Sequence, residues 1–214
     1  MYFEYCNYNK YIDDYGKELT HIFGAVDKGL GGLALPIHLI REVKEYMPAG
    51  TVLATAIDYP SGYSSPKTRS HAVLTALKSN VTAIDYVPNQ YFVRNKFTEV
   101  SEEVKTALAM CKDYGATLRV FLDYHHISNI ITFSRQLEKL GVEIVFPTLG
   151  YHHDDFFDNL LNAKMVEKQT SLSVIFNGYM WTPEHMEIIK KSKLFGARLY
   201  NLSLWCKYKQ EQDL

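Results

Sequence analysis

Apolar residues along this chain gather in short runs rich in Val, Ile, Leu, Tyr and Phe, each followed by a turn and then by a longer stretch of helical period. From residue 30 onward the pattern repeats with little variation. Parallel strands need a crossover between them, so regular alternation of this kind predicts a parallel sheet with connecting helices. The predicted strands are Gly32–Leu35, Val52–Ile57, Thr82–Val87, Thr117–Leu122, Glu143–Phe146, Ser171–Phe176 and Ala197–Tyr200, with a weaker one near Tyr2–Tyr8, eight in all.

The intervening helices carry start and stop signals. Thr182-Pro183-Glu184 reads as an N-cap, a proline in the first turn and an early acidic residue, and Ser65-Pro66 opens another helix in the same way. Gly141 ends a helix whose apolar stripe is Ile127, Ile130, Ile131, Leu137 and Leu140, and Val100, Val104, Ala107 and Cys111 form a second stripe. No linker, low-complexity tract or charge block divides residues 1–214, so a single domain is expected. Eight strands alternating with helices in this length predict an α/β fold, a compact (β/α)8 TIM barrel with a short C-terminal helix; an open doubly wound sheet is the alternative.

Composition narrows the partners. The net charge is -1 with lysines and arginines scattered, which leaves no basic footprint for nucleic acid or an anionic membrane surface. Cys6, Cys111 and Cys206 are odd in number and far apart, so neither a disulfide framework nor a zinc ribbon is expected, and a cytoplasmic setting fits. No apolar run reaches the roughly 20 residues needed to span a bilayer, and Met1–Tyr5 does not read as a signal peptide. The expected partner is a small polar substrate or ligand, with no cofactor. Leu202, Leu204, Trp205 and Tyr208 offer an apolar face for a homodimer or for burial against the barrel base.

In either architecture the chemistry belongs at the C-terminal ends of the strands. That filter selects Asp58, Asp85, Asn89, Asp123, His125, His126, Thr148, His152, His153, Asp154, Asn177, Gly178, Asn201 and Ser203. Asp85 stands apart, because Ala83-Ile84-Asp85-Tyr86-Val87 sets a carboxylate inside an apolar strand. A buried charge must be paired, hydrogen-bonded or neutralised, which is as compatible with a structural carboxylate as with a functional one.

These strand-end motifs resemble deoxyribose-phosphate aldolase, a class I aldolase barrel. Gly31-Gly32-Leu33-Ala34-Leu35 is similar to that family's second strand, and Ala54-Thr55-Ala56-Ile57-Asp58-Tyr59-Pro60-Ser61-Gly62 to its third strand and Phe-Pro-x-Gly turn, with Lys67 where the family has a lysine entering the next helix. Ala83-Ile84-Asp85-Tyr86-Val87-Pro88-Asn89 resembles its Glu-Ile-Asp-Met-Val-x-Asn motif, which implies that Asp85 corresponds to the proton-relay aspartate. The departures fall on the chemistry. Ile144-Val145-Phe146-Pro147-Thr148-Leu149-Gly150 puts Phe146 where the family's Phe-Ile-Lys-Thr-Ser-Thr-Gly has its Schiff-base lysine, and a phenyl ring forms no imine. Ile175 stands for the second lysine, one of the paired glycines survives as Gly178, and Asn201-Leu202-Ser203 replaces the Gly-Thr-Ser phosphate cradle. Cleavage of deoxyribose 5-phosphate is therefore not expected. With only Ser203–Leu214 after the eighth strand, barrel closure is expected to lean on a dimer partner or an unusual N-terminus.

His125-His126 and His152-His153 follow neighbouring strands, but neither pair has the helical spacing of a metal-binding HExxH, so no metal is assigned. As single acid/base groups they need no coordination geometry. Asp154 or Asp155 suits the N-cap of the helix that follows. The resulting expectation is acid/base chemistry of lyase or isomerase type on a sugar- or nucleoside-derived substrate. Asp85, Asp58, Asp123, His125 and His152 are the acid/base candidates, with a histidine facing Asp85 across the mouth. Asn89, Phe146, Thr148, Asn177, Gly178, Asn201 and Ser203 would line the substrate. The alternatives are a non-catalytic binding module whose pocket is filled by aromatic rings, and a metal-dependent lyase or hydrolase built on the histidine pairs.

Overall fold

The structure, a computed structural model, describes residues 1–8, 12–94, 96–150 and 155–212. In chain order the elements are β1 (Tyr2–Cys6), α1 (Tyr15–Asp27), β2 (Gly32–Ala34), α2 (Ile37–Val43), β3 (Val52–Ile57), α3 (Pro66–Leu77), β4 (Ala83–Tyr86), α4 (Gln90–Val93), α5 (Phe97–Asp113), β5 (Thr117–Phe121), α6 (Ile130–Leu140), β6 (Ile144–Phe146), α7 (Phe156–Gln169), β7 (Ser173–Phe176), α8 (Pro183–Ser192), β8 (Gly196–Leu199) and α9 (Leu202–Gln212). All eight strands are parallel and pair in sequence order, and β8 returns to β1 to close a (β/α)8 barrel. The open doubly wound alternative is thereby excluded.

Closure comes from the chain's own N-terminal strand, so of the two expected routes, a dimer partner or the N-terminus, it is the N-terminus that closes the barrel. Tyr2, Phe3, Glu4 and Tyr5 register against Gly196, Ala197, Arg198 and Leu199. Tyr2 fits there because β2 and β8 give it room: a Cβ on Gly32 would lie 2.1 Å from its hydroxyl, and one on Gly196 2.7 Å from its ring. The last helix is not unusually short either, since α9 has 11 residues against 10 in α8.

Local chemistry sets the helix ends. Ser65 accepts from the Thr68 amide with Pro66 in the first turn, Asn129 accepts from the Thr132 amide, and Asp155 accepts from the amides of Phe157 and Asp158. Each such cap stabilises its helix by about 1 kcal/mol. Gly141 ends α6 at φ 95°, a left-handed conformation that glycine adopts without steric cost. Two details differ from expectation. Ile127 lies ahead of α6, in the loop that Asn129 terminates, and Thr182 sits at the N-cap of α8 without a side-chain cap bond.

Strand alternation divides the buried side chains into three clusters. Ile84, Leu118, Val120, Val145, Val174 and Leu199 pack with the helices in the main core, while Val87, Phe121, Phe146, Leu149 and Ile175 form a separate cluster, and Cys6, Ala34, Ala54 and Ala83 another. Leu202, Leu204, Trp205 and Tyr208 are spent within the chain, where Phe3 meets the rings of Trp205 and Tyr208 at 5.5 and 6.3 Å. They are therefore not the face a second copy would use. Among the described residues no helix is long and apolar enough to cross a membrane.

Candidate active site

Four charged side chains fill the middle of the barrel. The register sets Glu4 of β1 directly against Arg198 of β8, and Asp85 of β4 directly against Arg119 of β5. The two pairs then join. Arg119 donates to Asp85 Oδ1 through Nε and to Glu4 Oε2 through Nη1, both at 2.6 Å. Arg198 donates to Glu4 Oε1 through Nε at 2.7 Å and to Asp85 Oδ2 through Nη2 at 2.5 Å. Tyr2 donates to Glu4 and Tyr8 to Asp85, at 2.5 and 2.7 Å. Glu4, Asp85 and Arg198 are fully buried, and Arg119 nearly so.

Two carboxylates against two guanidiniums sum to zero, the condition on which so much charge can leave water. Burial opposes ionisation of Asp85, but Arg119 and Arg198 outweigh it and hold the carboxyl below its ordinary value. Burial likewise pushes the Cys6 thiol up to about 12, so this buried thiol is no nucleophile.

Phe146 lies within this network. The Arg198 guanidinium stands 4.1 Å from its ring centroid and that of Arg119 5.2 Å, while Phe121 stacks on it at 4.7 Å. A phenyl face is attractive to both cations. An ammonium in its place would be a third buried positive charge beside two carboxylates. The aromatic substitution and the arginines are thus mutually consistent, and Phe146, Phe121 and Ile175 pack this part of the barrel solid.

At the C-terminal rim the groups are differently placed. Asp123 follows β5 in the left-handed region, at φ 48°, where few residues other than glycine sit without strain. That conformation folds the next turn back, with the His126 amide donating to the Asp123 carbonyl. Asp123 Oδ2 then lies 2.5 Å from His126 Nδ1. The carboxylate is fully buried and its Oδ1 has no hydrogen-bond partner among the described residues, whereas the imidazole is 36% exposed. A carboxylate on Nδ1 fixes the ring and leaves Nε2 as the basic nitrogen, the arrangement of an oriented general base.

The other predicted residues divide by what holds them. Asp58, also left-handed at φ 60°, accepts from the amide and hydroxyl of Ser64 and faces Arg69 at 3.6 Å, so it is committed to its turn. Asn89 caps α4 and Asn201 accepts from the Ser203 amide at the start of α9. Thr148 and Asn177 are buried and joined, Asn177 Nδ2 donating to the Thr148 carbonyl. Gly178 is small because a Cβ there would meet Asn159 of α7 at 2.6 Å. The His125 ring lies against that of Tyr124, centroids 4.1 Å apart and tilted at 34°, while the oxygens of Asp85 are held by Arg119, Arg198 and Tyr8. His152, with His153 and Asp154, lies outside the described residues; among those described, no three His, Cys, Asp or Glu side chains gather as a metal site.

Sequence reasoning missed Glu4, Arg119, Arg198 and the choice of His126 over His125. The first three carry the signal that singled out Asp85, a charge flanked by apolar residues inside a strand: Phe3-Glu4-Tyr5, Leu118-Arg119-Val120 and Ala197-Arg198-Leu199. The choice between adjacent histidines depends on the Asp123 turn, which no local pattern announces.

A cavity of about 610 Å³ opens beside the rim between Tyr8, Pro36, Ile57, Asp58, Tyr59 and His71, within the size range of small-molecule sites. Another, of about 490 Å³, lies in the outer helical layer against α3 and α5 and does not reach the barrel mouth.

Comparison with known proteins agrees with this architecture. The deoxyribose-phosphate aldolase of Streptococcus agalactiae is 30% identical over 120 residues, 55% of this chain and 53% of that protein, so the match spans about half the length of these curated relatives. Among solved structures, an aldolase named QR15 superposes with a TM-score of 0.79 at 13% identity, over 92% of this chain and 90% of that one. A deoxyribose phosphate aldolase from Aeropyrum pernix, described as a unique tetramer, gives 0.78 at 16% identity over 99% and 89%. No family model matches the chain.

Proposed function

We propose that this chain, which is similar to deoxyribose-phosphate aldolases over about half of its length, is an acid/base enzyme whose chemistry sits at the rim of the barrel and not in its middle. His126 transfers the proton and Asp123 orients it, in a lyase- or isomerase-type reaction on a small polar, sugar- or nucleoside-derived substrate. The observation that carries the reading is the Asp123–His126 pair: a buried carboxylate in a strained conformation, gripping a partly exposed imidazole at the C-terminal end of a barrel strand. Backbone strain of about 1 to 3 kcal/mol is retained where the geometry it creates is useful.

Asp85, the relay aspartate by resemblance, becomes a structural carboxylate in this account, since both its oxygens are taken and its proton affinity is lowered. No covalent imine forms at Phe146. Three free cysteines suit a reducing cytoplasm.

A thermal-shift screen against small metabolites identifies the ligand, because whatever binds the native state raises its melting temperature. Turnover of that ligand then falls about 10²- to 10⁴-fold in His126→Gln, the usual contribution of a positioned acid/base group, and falls in Asp123→Asn as well. Wild-type turnover in His126→Gln rejects the assignment. One observation favours a second reading, a binding module without catalysis: the interior position of the family's nucleophile is packed solid by Phe146, Phe121 and Ile175. Saturable binding of a ligand that is never converted selects that reading.

A further inference from the structure

Three aromatic rings run in series along the rim after β7 and β8. Tyr200 and Tyr179 stack with centroids 5.0 Å apart at 23°, and Tyr179 and Trp181 at 5.3 Å and 14°. The inner end is pinned: Tyr200 donates to Asn177 Oδ1 at 2.6 Å, Asn177 donates to the Thr148 carbonyl at 2.8 Å, and the Tyr200 hydroxyl occupies the space that a Cβ on Gly150 would need. The outer end is held through its backbone, where the Trp181 amide donates to His185 Nδ1 at 3.3 Å and His185 lies flat on Phe156, at 4.1 Å and 8°.

Trp181 is nonetheless 65% exposed. A large aromatic surface left in water costs about 25 cal/mol for each Å² not buried. Here the ring is fixed and oriented by a supported stack, which a merely stranded side chain would not need. Near-parallel stacking aligns the Trp181 ring with the two behind it, so a flat ligand ring can extend the series.

The surrounding chemistry limits the ligand's charge. Neither Asn177-Gly178-Tyr179-Met180-Trp181-Thr182 nor Tyr200-Asn201-Leu202-Ser203 contains a lysine or arginine. In barrels of this type, loops after the seventh and eighth strands frequently bind phosphate. Here the two loops offer π faces and no lysine or arginine of their own.

We infer that Trp181, backed by Tyr179 and Tyr200, is a stacking platform for the planar ring of an uncharged ligand, the base of a nucleoside. This deepens the nucleoside arm of the proposed substrate class, but it rests on binding and does not require His126 to be catalytic.

The test uses the full chain and its own fluorescence. Of its two tryptophans, Trp205 is buried with its indole N–H donating to the Ala25 carbonyl, so ligand-induced quenching and shielding from acrylamide report on Trp181. Adenosine, thymidine, 2-deoxyribose and 2-deoxyribose 5-phosphate are titrated separately, with calorimetry as a label-independent second readout. The expected result is saturable quenching by the nucleosides and not by the two pentoses, with affinity lowered about tenfold or more in Trp181→Ala and largely kept in Trp181→Phe, as base–aromatic stacking predicts. Absence of nucleoside binding at millimolar concentration, unchanged affinity in Trp181→Ala, or tighter binding of the pentose phosphate than of either nucleoside overturns the inference. Nucleoside binding without turnover upholds the platform while removing the catalytic reading; His126-dependent turnover of a ligand indifferent to Trp181→Ala does the reverse.

Discussion

In the middle of the barrel, Asp85 is fully buried and its two oxygens are taken by Arg119, Arg198 and Tyr8. At the rim, Asp123 is just as buried, yet it holds a single partly exposed histidine and keeps one oxygen without a partner among the described residues. Asp85 lies in the C-terminal half of β4, and Asp123 lies two residues beyond the end of the neighbouring β5. What separates them is saturation: a carboxylate whose two oxygens are both held by buried partners contributes to the fold, and one whose partner is accessible can serve a reaction. Burial alone, the usual flag for a functional acid, does not distinguish them.

Disrupting the saturated region has the largest expected effect. Arg198→Met leaves Glu4 and Asp85 sharing one guanidinium in a dry interior, and breaking a buried pair in this way costs about 3 to 5 kcal/mol, read by urea denaturation. Stability close to wild type would mean that the network does not hold the fold together. Phe146→Lys, which sets a lysine where the resemblance to aldolases would place one, lowers stability by about 2 kcal/mol or more, because it removes a π face from two arginines and adds a third cation beside them. A stable variant would show that the site tolerates a third positive charge.

At the rim the sign of the effect changes from stability to activity. His126→Gln changes unfolding free energy by about 1 kcal/mol or less, as expected for a half-exposed side chain, while removing turnover of the identified ligand. Comparable loss of stability in His126→Gln and Arg198→Met would erase the distinction between the regions.

Acid sharpens the comparison further. Asp85 has a folded pKa below its unfolded value, so its contribution is fully present above the ordinary carboxylate range and is lost as pH falls below about 4 toward the folded value. Asp85→Asn therefore lowers stability at neutral pH and flattens this acid limb. An unchanged limb in the variant assigns the acid sensitivity to other carboxylates.

The fold was largely legible in the sequence. All eight strands fall where the apolar runs place them, with ends shifted by at most two residues, and of the expected caps Ser65 and Asp155 hold their helix ends by side-chain bonds, whereas the cap at Asn129 was not among them. Strand period and capping are local properties, so a single chain displays them. The site was legible only in part. Asp85 was visible as a charge in an apolar strand, but its meaning depends on Glu4 and Arg198, which are 194 residues apart and become neighbours only when β1 meets β8. The same limit applies to His126, selected over His125 by one left-handed residue, and to the ring series that ends at Trp181, whose members come from two loops.

On the function proposed above, the middle of this barrel supports no imine chemistry, because a neutralised charge network and a packed phenyl ring occupy it. Reductive trapping tests it most directly. The folded protein is incubated with small aldehydes and with 2-deoxyribose 5-phosphate in the presence of borohydride and analysed by intact mass. The account predicts no adduct above that of a denatured control; a stoichiometric adduct formed only by the folded protein would contradict it.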